Sequence, residues 1–238
     1  LFRSPVFCIA GYSLINQAGE FTLNNYLELF NPRYFSIVIN STVLAFITAG
    51  LCLLIAYPVA YYLALRVKKY RNLLLVFLIL PSWTSFIIQI YSWFFVLQKR
   101  GIISSMLLKM GIISGHINLL NNYGAIILGM VYCFLPFMIL PIYTVLGRLD
   151  KKLIEASYDL GANSLQTFKN IIFPLSLSGV KTGLFLVSVS AFGEFAVPDL
   201  MGGFKELYVG RVVMEKFLIY RDWYSGAAVV ILSIIFPF

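Results

Sequence analysis

Glu194 is the residue whose setting first poses a chemical question. It is a carboxylate inside an apolar run, beside Gly193 and one turn before Pro198. A charged side chain at mid-membrane depth costs about 2.5–3.5 kcal/mol on insertion scales. That cost is met when the group faces a water-filled path or a basic partner. The alternative is a position near the end of a span, from which the carboxylate snorkels to the headgroups. Asp199 follows Pro198 directly and is placed to cap or line an outer mouth. Other groups able to do chemistry are scarce. His116 stands alone beside Gly115, which argues against a metal or acid–base role. Cys8, Cys52 and Cys133 lie in apolar runs at spacings that match no metal or redox pattern, and they read as small buried hydrophobes. A membrane enzyme needs clustered catalytic groups near the interface, and one histidine with scattered acids does not supply them. The chain is therefore read as no enzyme by itself, with no catalytic residues, no metal site and no cofactor of its own.

The elements that must hold these residues follow from composition. Of the 238 residues, 60% are hydrophobic and only 12% charged, about half the charge of a soluble domain. Such a chain cannot cover itself in water. Three runs are long enough to cross a bilayer, at about 35–65, 73–97 and 123–146. A shorter fourth, about 182–198, carries Glu194. Partial runs occupy 1–15 and 224–238, and the chain does not begin with Met, so it reads as clipped at both ends. A cleaved signal peptide is the rival for the first run, but no small-residue cleavage site follows it. The expected fold is all-α: a single polytopic bundle of five to six spans over 1–238. Pro58, Pro81, Pro136, Pro141 and Pro198 recur within the spans, which lipid tolerates where neighbours or internal water satisfy the freed carbonyls. Trp83, Tyr91, Trp93 and Tyr132 also lie within spans, where packing or an interfacial belt is the alternative to a functional role.

The net charge of +8 is read through loop positions, not as a nucleic-acid footprint. Arg66, Lys68, Lys69 and Arg71 crowd one short loop, and Arg148, Lys151, Lys152, Lys169 and Lys181 lie between Gly147 and Lys181. With Arg3 these place ten basic and three acidic residues on one side, against eight and six on the other. The basic side is expected to be cytoplasmic. On the outer side, the mixed charges between Gly202 and Tyr224 (Lys205, Glu206, Arg211, Glu215, Lys216, Arg221 and Asp222) suit a docking face or merely a solvated one. Ile102, Met106, Leu107 and Met110 suggest an outer interfacial helix.

The segment 149–179 is the most informative. Asp150 is a good N-cap, and Gly161 is placed to end the helix that follows. Asn163 with Gln166 three residues on forms a capping box for a second helix, with Leu165, Phe168, Ile171 and Ile172 at helical spacing. Pro174 is expected to close it. Taken alone this is an interfacial helix pair. The pattern Glu155-Ala156-Ser157, three residues, Gly161, nine residues, Ile171, then Pro174 resembles the EAA loop of ABC importer permeases of the binding-protein-dependent class. Ser157 stands for the third small residue and Phe173 for a leucine.

The resemblance implies that this loop is a coupling helix docked in a groove of a cytosolic ATPase. Glu155 would pair with a basic residue or cap its own loop, Ala156 and Ser157 would allow close approach, Gly161 would set the bend, and Asp159 and Pro174 would complete the coupling set. The chain has no G-x-x-x-x-G-K-[ST] motif, so ATP and Mg would belong to the partner. The implied assembly is this chain, a second permease, two ATPase copies and a substrate-binding protein in the bacterial inner membrane, with no nucleic acid. Asn24-Asn25-Tyr26, Leu135-Pro136-Phe137-Met138, Asp199-Leu200-Met201-Gly202-Gly203 and Arg221-Asp222-Trp223 with Gly226-Ala227-Ala228 are similar to the B-type permeases for spermidine and putrescine. Related permeases for iron, sulfate or other solutes share several of them. A polyamine wants carboxylates for its ammonium groups and aromatic faces for charge and stem; the resemblance thus points to Glu194, Asp199, Trp83, Tyr91, Trp93 and Tyr132 as path residues. An ion-driven transporter would show inverted repeats and paired intramembrane charges, and neither is seen.

Overall fold

Apolar runs separated by proline, glycine and basic residues become a succession of helices. The computed structural model describes residues 5–15, 20–27, 29, 31–67, 69–203 and 207–235. They form α1 (Pro5–Ser13), α2 (Asn24–Leu27), α3 (Pro32–Tyr61), α4 (Arg71–Ile79), α5 (Phe86–Leu97), α6 (Ile102–Lys109), α7 (Tyr123–Gly147), α8 (Lys151–Asp159), α9 (Ser164–Thr167), α10 (Phe173–Phe192), α11 (Ala196–Gly202), α12 (Val209–Met214) and α13 (Trp223–Ile235). Wider π-helical turns extend α3 over Tyr62–Arg66, join α9 to α10 over Phe168–Ile172, and extend α12 over Glu215–Ile219. Among the described residues there is no strand, only an isolated bridge between Ile15 and Phe21. The all-α expectation holds.

The spans differ from expectation in instructive ways. Three helical stretches are long and apolar enough to cross a membrane: Pro32–Arg66, Tyr123–Gly147 and Ser164–Phe192. A fourth is counted only if Arg71–Trp83 and Phe86–Lys109, bent 90° apart, act as one broken span. The expected straight span at 73–97 is thus two helices, because Pro81 interrupts the ladder in a 3₁₀ turn at Leu80–Trp83. The freed backbone is satisfied locally: Gln89 Nε2 donates to Pro81 O at 2.6 Å, Thr84 Oγ1 to the same carbonyl at 2.7 Å, and Ser82 Oγ to Ile79 O at 2.6 Å. The run expected at 182–198 stops at Phe192 and starts far earlier, so Lys181, taken as a loop residue, sits inside a helix, and Glu194 lies beyond its end. The terminal runs fold as the short helices α1 and α13.

The chain divides into two compact units, Phe46–Trp93 with Ile127–Ala191, and Leu1–Ala45 with Phe94–Ile126 and Phe192–Phe238. In the first of these, small residues set the packing. Ala49, Cys52, Ala56 and Ala60 recur along α3 with almost no exposure. Cys52 Sγ donates to Val131 O at 3.7 Å. Gly179 and Gly183 of α10 meet α7 at backbone distance: a Cβ would lie 2.8 Å from Pro141 O at the former and 2.7 Å from Met138 Sδ at the latter. This is the small-xxx-small device that lets helices approach where lipid offers no hydrophobic drive.

In the other unit Asn25 Nδ2 donates to the carbonyls of Ser13 and Ile15, both at 3.1 Å, and Tyr26 Oη to Ser13 Oγ at 2.7 Å. Leu29, Val212, Ala228 and Val229 form a core cluster. A Cβ on Gly226 would lie 2.9 Å from the Phe217 ring. The Asn24-Asn25-Tyr26 and Gly226-Ala227-Ala228 runs therefore have structural work here.

Substituting the α10 glycines tests the close approach. Gly179→Ala meets a backbone carbonyl that cannot swing away, whereas Gly183→Ala meets a flexible methionine end. We expect thermal unfolding of the purified protein to show Gly179→Ala destabilised by about 1–3 kcal/mol, and Gly183→Ala by clearly less. Equal effects would mean that α7 shifts as a body.

Candidate functional site

The expected coupling segment is built as two helices on a glycine bend. Asp150 caps α8, its Oδ1 accepting from Lys152 N at 3.0 Å. Gly161, at φ +82°, closes it, with Gly161 N donating to Tyr158 O at 2.9 Å and Ala162 N to Ser157 O at 3.0 Å. A left-handed residue costs glycine little. Asn163 and Gln166 form the reciprocal capping box at 2.8 and 2.9 Å. The pair is clasped where Ser157 Oγ meets Thr167 Oγ1 at 2.9 Å, both residues buried.

Two expectations change here. Ser157 does not face outward; it is buried against α9, so its small size serves the clasp and not a partner's groove. Pro174 does not close the second helix. α9 runs through the π turn into α10 with Pro174 in its first turn, where a missing N–H and a fixed φ are tolerated. The expected loop 149–179 therefore ends in a membrane-crossing helix. Glu155, Ala156 and Asp159 are exposed. Leu153, Tyr158, Leu160 and Leu165 are exposed with them, Leu160 to 88%; of the four, sequence singled out Leu165 alone, and only for its helical spacing. Their positions around the bend were the available signal.

Two stalks carry this pair. At the end of α7, the Arg71 guanidinium lies 4.7 Å from the Tyr143 ring centroid and donates Nε–H to Tyr143 Oη. A Cβ on Gly147 would lie 2.5 Å from Arg71 Nη2. At the start of α10, Phe168 packs on Tyr57 and Tyr61 at 5.8 and 6.1 Å between ring centroids, and Phe173 on Tyr57 at 6.0 Å. Tyr57 Oη and Ser176 Oγ are 2.8 Å apart.

The acidic candidates have partners. Glu194 Oε1 accepts from Ala196 N at 2.8 Å and Val197 N at 3.4 Å, capping α11. Gly210 of α12 crosses Gly193 so closely that a Cβ there would collide with Gly193 O. Asp199 Oδ1 is 3.1 Å from Arg211 Nη1, and Arg211 Nε is 2.9 Å from Glu215 Oε1, all three side chains largely buried. Arg211 and Glu215 join the site only in the structure. Their i,i+4 spacing was readable, but the pairing with Asp199 depends on the turn between α11 and α12. α11 itself ends at Gly203, φ +69°, and Asn121 N donates to Met201 O at 2.8 Å. Lys205 and Glu206 lie outside the described residues. Asp222 caps α13 through Ser225 N at 3.2 Å. Burial raises its carboxyl, but hydrogen bonds from Ser225 and the Lys216 ammonium at 3.6 Å outweigh that and hold it below the usual range.

Of the aromatic candidates, Trp93 and Tyr132 meet edge to face at 5.3 Å. Trp83 lies at the α4–α5 break, 78% exposed, and Tyr91 is exposed on α5.

The helical architecture is that of importer permeases. A bacterial ABC transporter that imports the polysaccharide alginate matches it with a TM-score of 0.70 at 16% identity, covering 99% of this chain and 86% of that one. The same fold is found in an alginate transporter solved with a pentasaccharide-bound periplasmic protein, at 0.70 and 15%. Residues 56–238 match the profile of the binding-protein-dependent transport system inner membrane components. The chain belongs to that family, and it is a permease component of the inner membrane. It is 47% identical over 212 residues to the spermidine/putrescine transport system permease protein PotB of Haemophilus influenzae, covering 89% of this chain and 74% of that one. It is 45% identical to Escherichia coli PotB, covering 87% and 76%, and 30% identical to the E. coli inner membrane permease protein YdcU, covering 83% and 66%.

Tyr57→Phe deletes only the hydroxyl that meets Ser176. We expect it to lower stability by about 1 kcal/mol, and a larger loss from Ser176→Ala, which also removes the bond that Ser176 Oγ donates to Phe173 O at 2.8 Å. A double variant no worse than Ser176→Ala alone, measured by thermal unfolding, would show that the two hydroxyls act as one contact.

Proposed function

We propose that this chain is a permease subunit of an ATP-driven polyamine importer, acting with a second permease, two copies of a cytosolic ATPase and a substrate-binding protein. The observation that carries the ATPase reading is the α8–α9 pair: capped at both ends, clasped at Ser157–Thr167, and exposing Leu153, Tyr158, Leu160 and Leu165 beside Glu155 and Asp159. An apolar face rimmed by carboxylates suits a soluble partner with a groove and a basic edge. ATP and Mg would be held by that partner. Closure of the ATPases would push the pair as a rigid lever, and the α7 and α10 stalks would carry the movement into the membrane. The polyamine reading rests on the likeness to the two spermidine/putrescine permeases.

In this reading Glu194 and Asp199 favour a cation in the path, and the Trp93–Tyr132 pair, Trp83 and Tyr91 offer aromatic faces to its ammonium groups and methylene stem. Glu194 also caps α11, so the test must separate charge from cap. Glu194→Gln keeps an acceptor oxygen and removes the charge, whereas Glu194→Ala removes both. The expected result is spermidine uptake lowered about tenfold in Glu194→Gln, of the order of one charge-assisted contact, with the complex intact. Uptake at the parent level in Glu194→Gln and in Asp199→Asn would remove both residues from the path.

Purification tests the assembly. The chain should bring down an ATPase and a second permease, and a spermidine-loaded binding protein should stimulate hydrolysis. Leu160→Glu on the exposed bend should lower ATPase recovery by about tenfold, the scale of a lost interface anchor, without unfolding the chain. Stimulation by another solute alone would transfer the reading to that solute.

A further inference from the structure

Lys181 is a cation in an apolar helix. It follows the first residue of α10 by eight positions and precedes the last by eleven, about 12 and 16 Å at the helical rise. Snorkelling serves lysines near helix ends, and Lys181 is near neither. Its side chain is exposed, and among the described residues no ion pair includes it. The opposite side of α10 is the packed one, with Ser176, Gly179, Gly183 and Val187 against α7 or buried. The exposed side carries Ser178, Lys181 and Thr182 among Phe185 and Val189. Thr182 is satisfied along its own helix, Oγ1 donating to Ser178 O at 2.9 Å, so the weight rests on Lys181. Beside this face a groove of about 420 Å³ opens between α7 and α10, lined mainly by apolar side chains, Phe137, Leu140, Pro141, Val145 and Leu186, with Thr144 and Thr182 among them. An exposed ammonium has no place against hydrocarbon. Water along this face of the helix is what would satisfy it.

We propose that this face of α10 is the wall that the chain contributes to a water-filled translocation path, with Lys181 a fixed positive charge that the cargo passes. The proposal rests on the importer reading but not on the identity of the cargo. A conducting wall must hold its cargo weakly enough to release it. Against a cation, Lys181 does so by like charge. Against an anion it would be an attractive station.

The test uses the assembled transporter in proteoliposomes, with exposed Cys8 changed to Ser and single cysteines introduced as Lys181→Cys, Phe185→Cys and, as apolar exposed controls, Leu54→Cys and Ile88→Cys. A membrane-impermeant cationic thiol reagent should modify positions 181 and 185 about tenfold faster than either control, since only a hydrated thiol ionises readily. Trapping the ATPase with ATP and vanadate should change the rates at 181 and 185 and leave the controls alone. Modification of position 185 as slow as the controls would place the face in lipid and overturn the proposal. Fast modification at 181 that ignores nucleotide would place Lys181 at the bilayer surface and also overturn it. Slow modification at 181, with Lys181→Glu expelling the second permease from the complex, would make the face a subunit interface instead. Failure of the parent to take up spermidine while the labelling pattern holds would remove the polyamine reading and leave the wall in place.

Discussion

Every backbone carbonyl freed inside hydrocarbon must find a donor within the protein, and much of this structure follows from that one constraint. Proline breaks are affordable only where side chains stand ready. At Pro81 three of them do: Gln89, Thr84 and Ser82 take up the Pro81 and Ile79 carbonyls within 2.7 Å. A 90° bend between two apolar helices is thereby supported. Hydroxyl donors face the converse need for an acceptor, and serines and threonines of the helices find one on their own preceding turns, as in Thr42 to Val38 O, Ser92 to Ile88 O and Thr144 to Leu140 O. Among the described residues Thr48 Oγ1 is the buried side-chain polar atom left without a partner.

The parts legible in sequence were those governed by local chemistry. Asp150, Gly161, Asn163 and Gln166 act within a few residues of themselves, and each cap forms as its type and spacing dictate. The apolar runs at Phe35 and Tyr123 give helices for the same reason. What was not legible depends on partners distant in sequence or on a choice between two local rules. Pro174 could end a helix or begin one, and the π turn before it decides for the second. Ser157 could face a partner or the neighbouring helix, and Thr167, ten residues on, decides for the neighbour. The run after Thr182 was read from hydropathy alone, which saw Lys181 as a boundary. Helix continuity through Gly179 and Gly183 depends on α7, which no local pattern describes.

The acidic residues show how a functional and a structural reading of one group can both hold. Glu194 caps α11 and Asp199 shares Arg211 with Glu215. A cap or an ion triad is reason enough for a carboxylate to be where it is, so intramembrane acidity by itself carries less weight for cargo than the sequence suggested. Yet Asp199, Glu215 and Arg211 together remain net negative, and a break in the helix at Gly193 is where irregular backbone is tolerated, lining a cavity or buried in protein. The electrostatic case for a cation thus moves from Glu194 and Asp199 as separate carboxylates to the group of charges around Arg211.

Movement from the coupling pair into the membrane needs a joint that is neither slack nor a plain continuous rod. The two π-helical turns of this unit are well placed to be it. One widens the end of α3 over Tyr62–Arg66 and the other joins α9 to α10 over Phe168–Ile172. Beside them α3 meets the start of α10 through a cluster of rings, Tyr57 and Tyr61 on one side and Phe168 and Phe173 on the other. A π turn is a strained insertion in an α-helix and persists where the surroundings hold it; here the rings do so. Edge-to-face contacts between aromatic groups resist separation but allow a slide. Displacement of α8 and α9 would therefore reach α3 through the rings and α10 through the chain itself. The Arg71–Tyr143 clasp holds the end of α7. In the proposed coupling, with α7 held at that clasp, a push on the pair would act on α10 first and could turn it. Rotation is the movement that would turn the Lys181 face of α10 toward or away from the path.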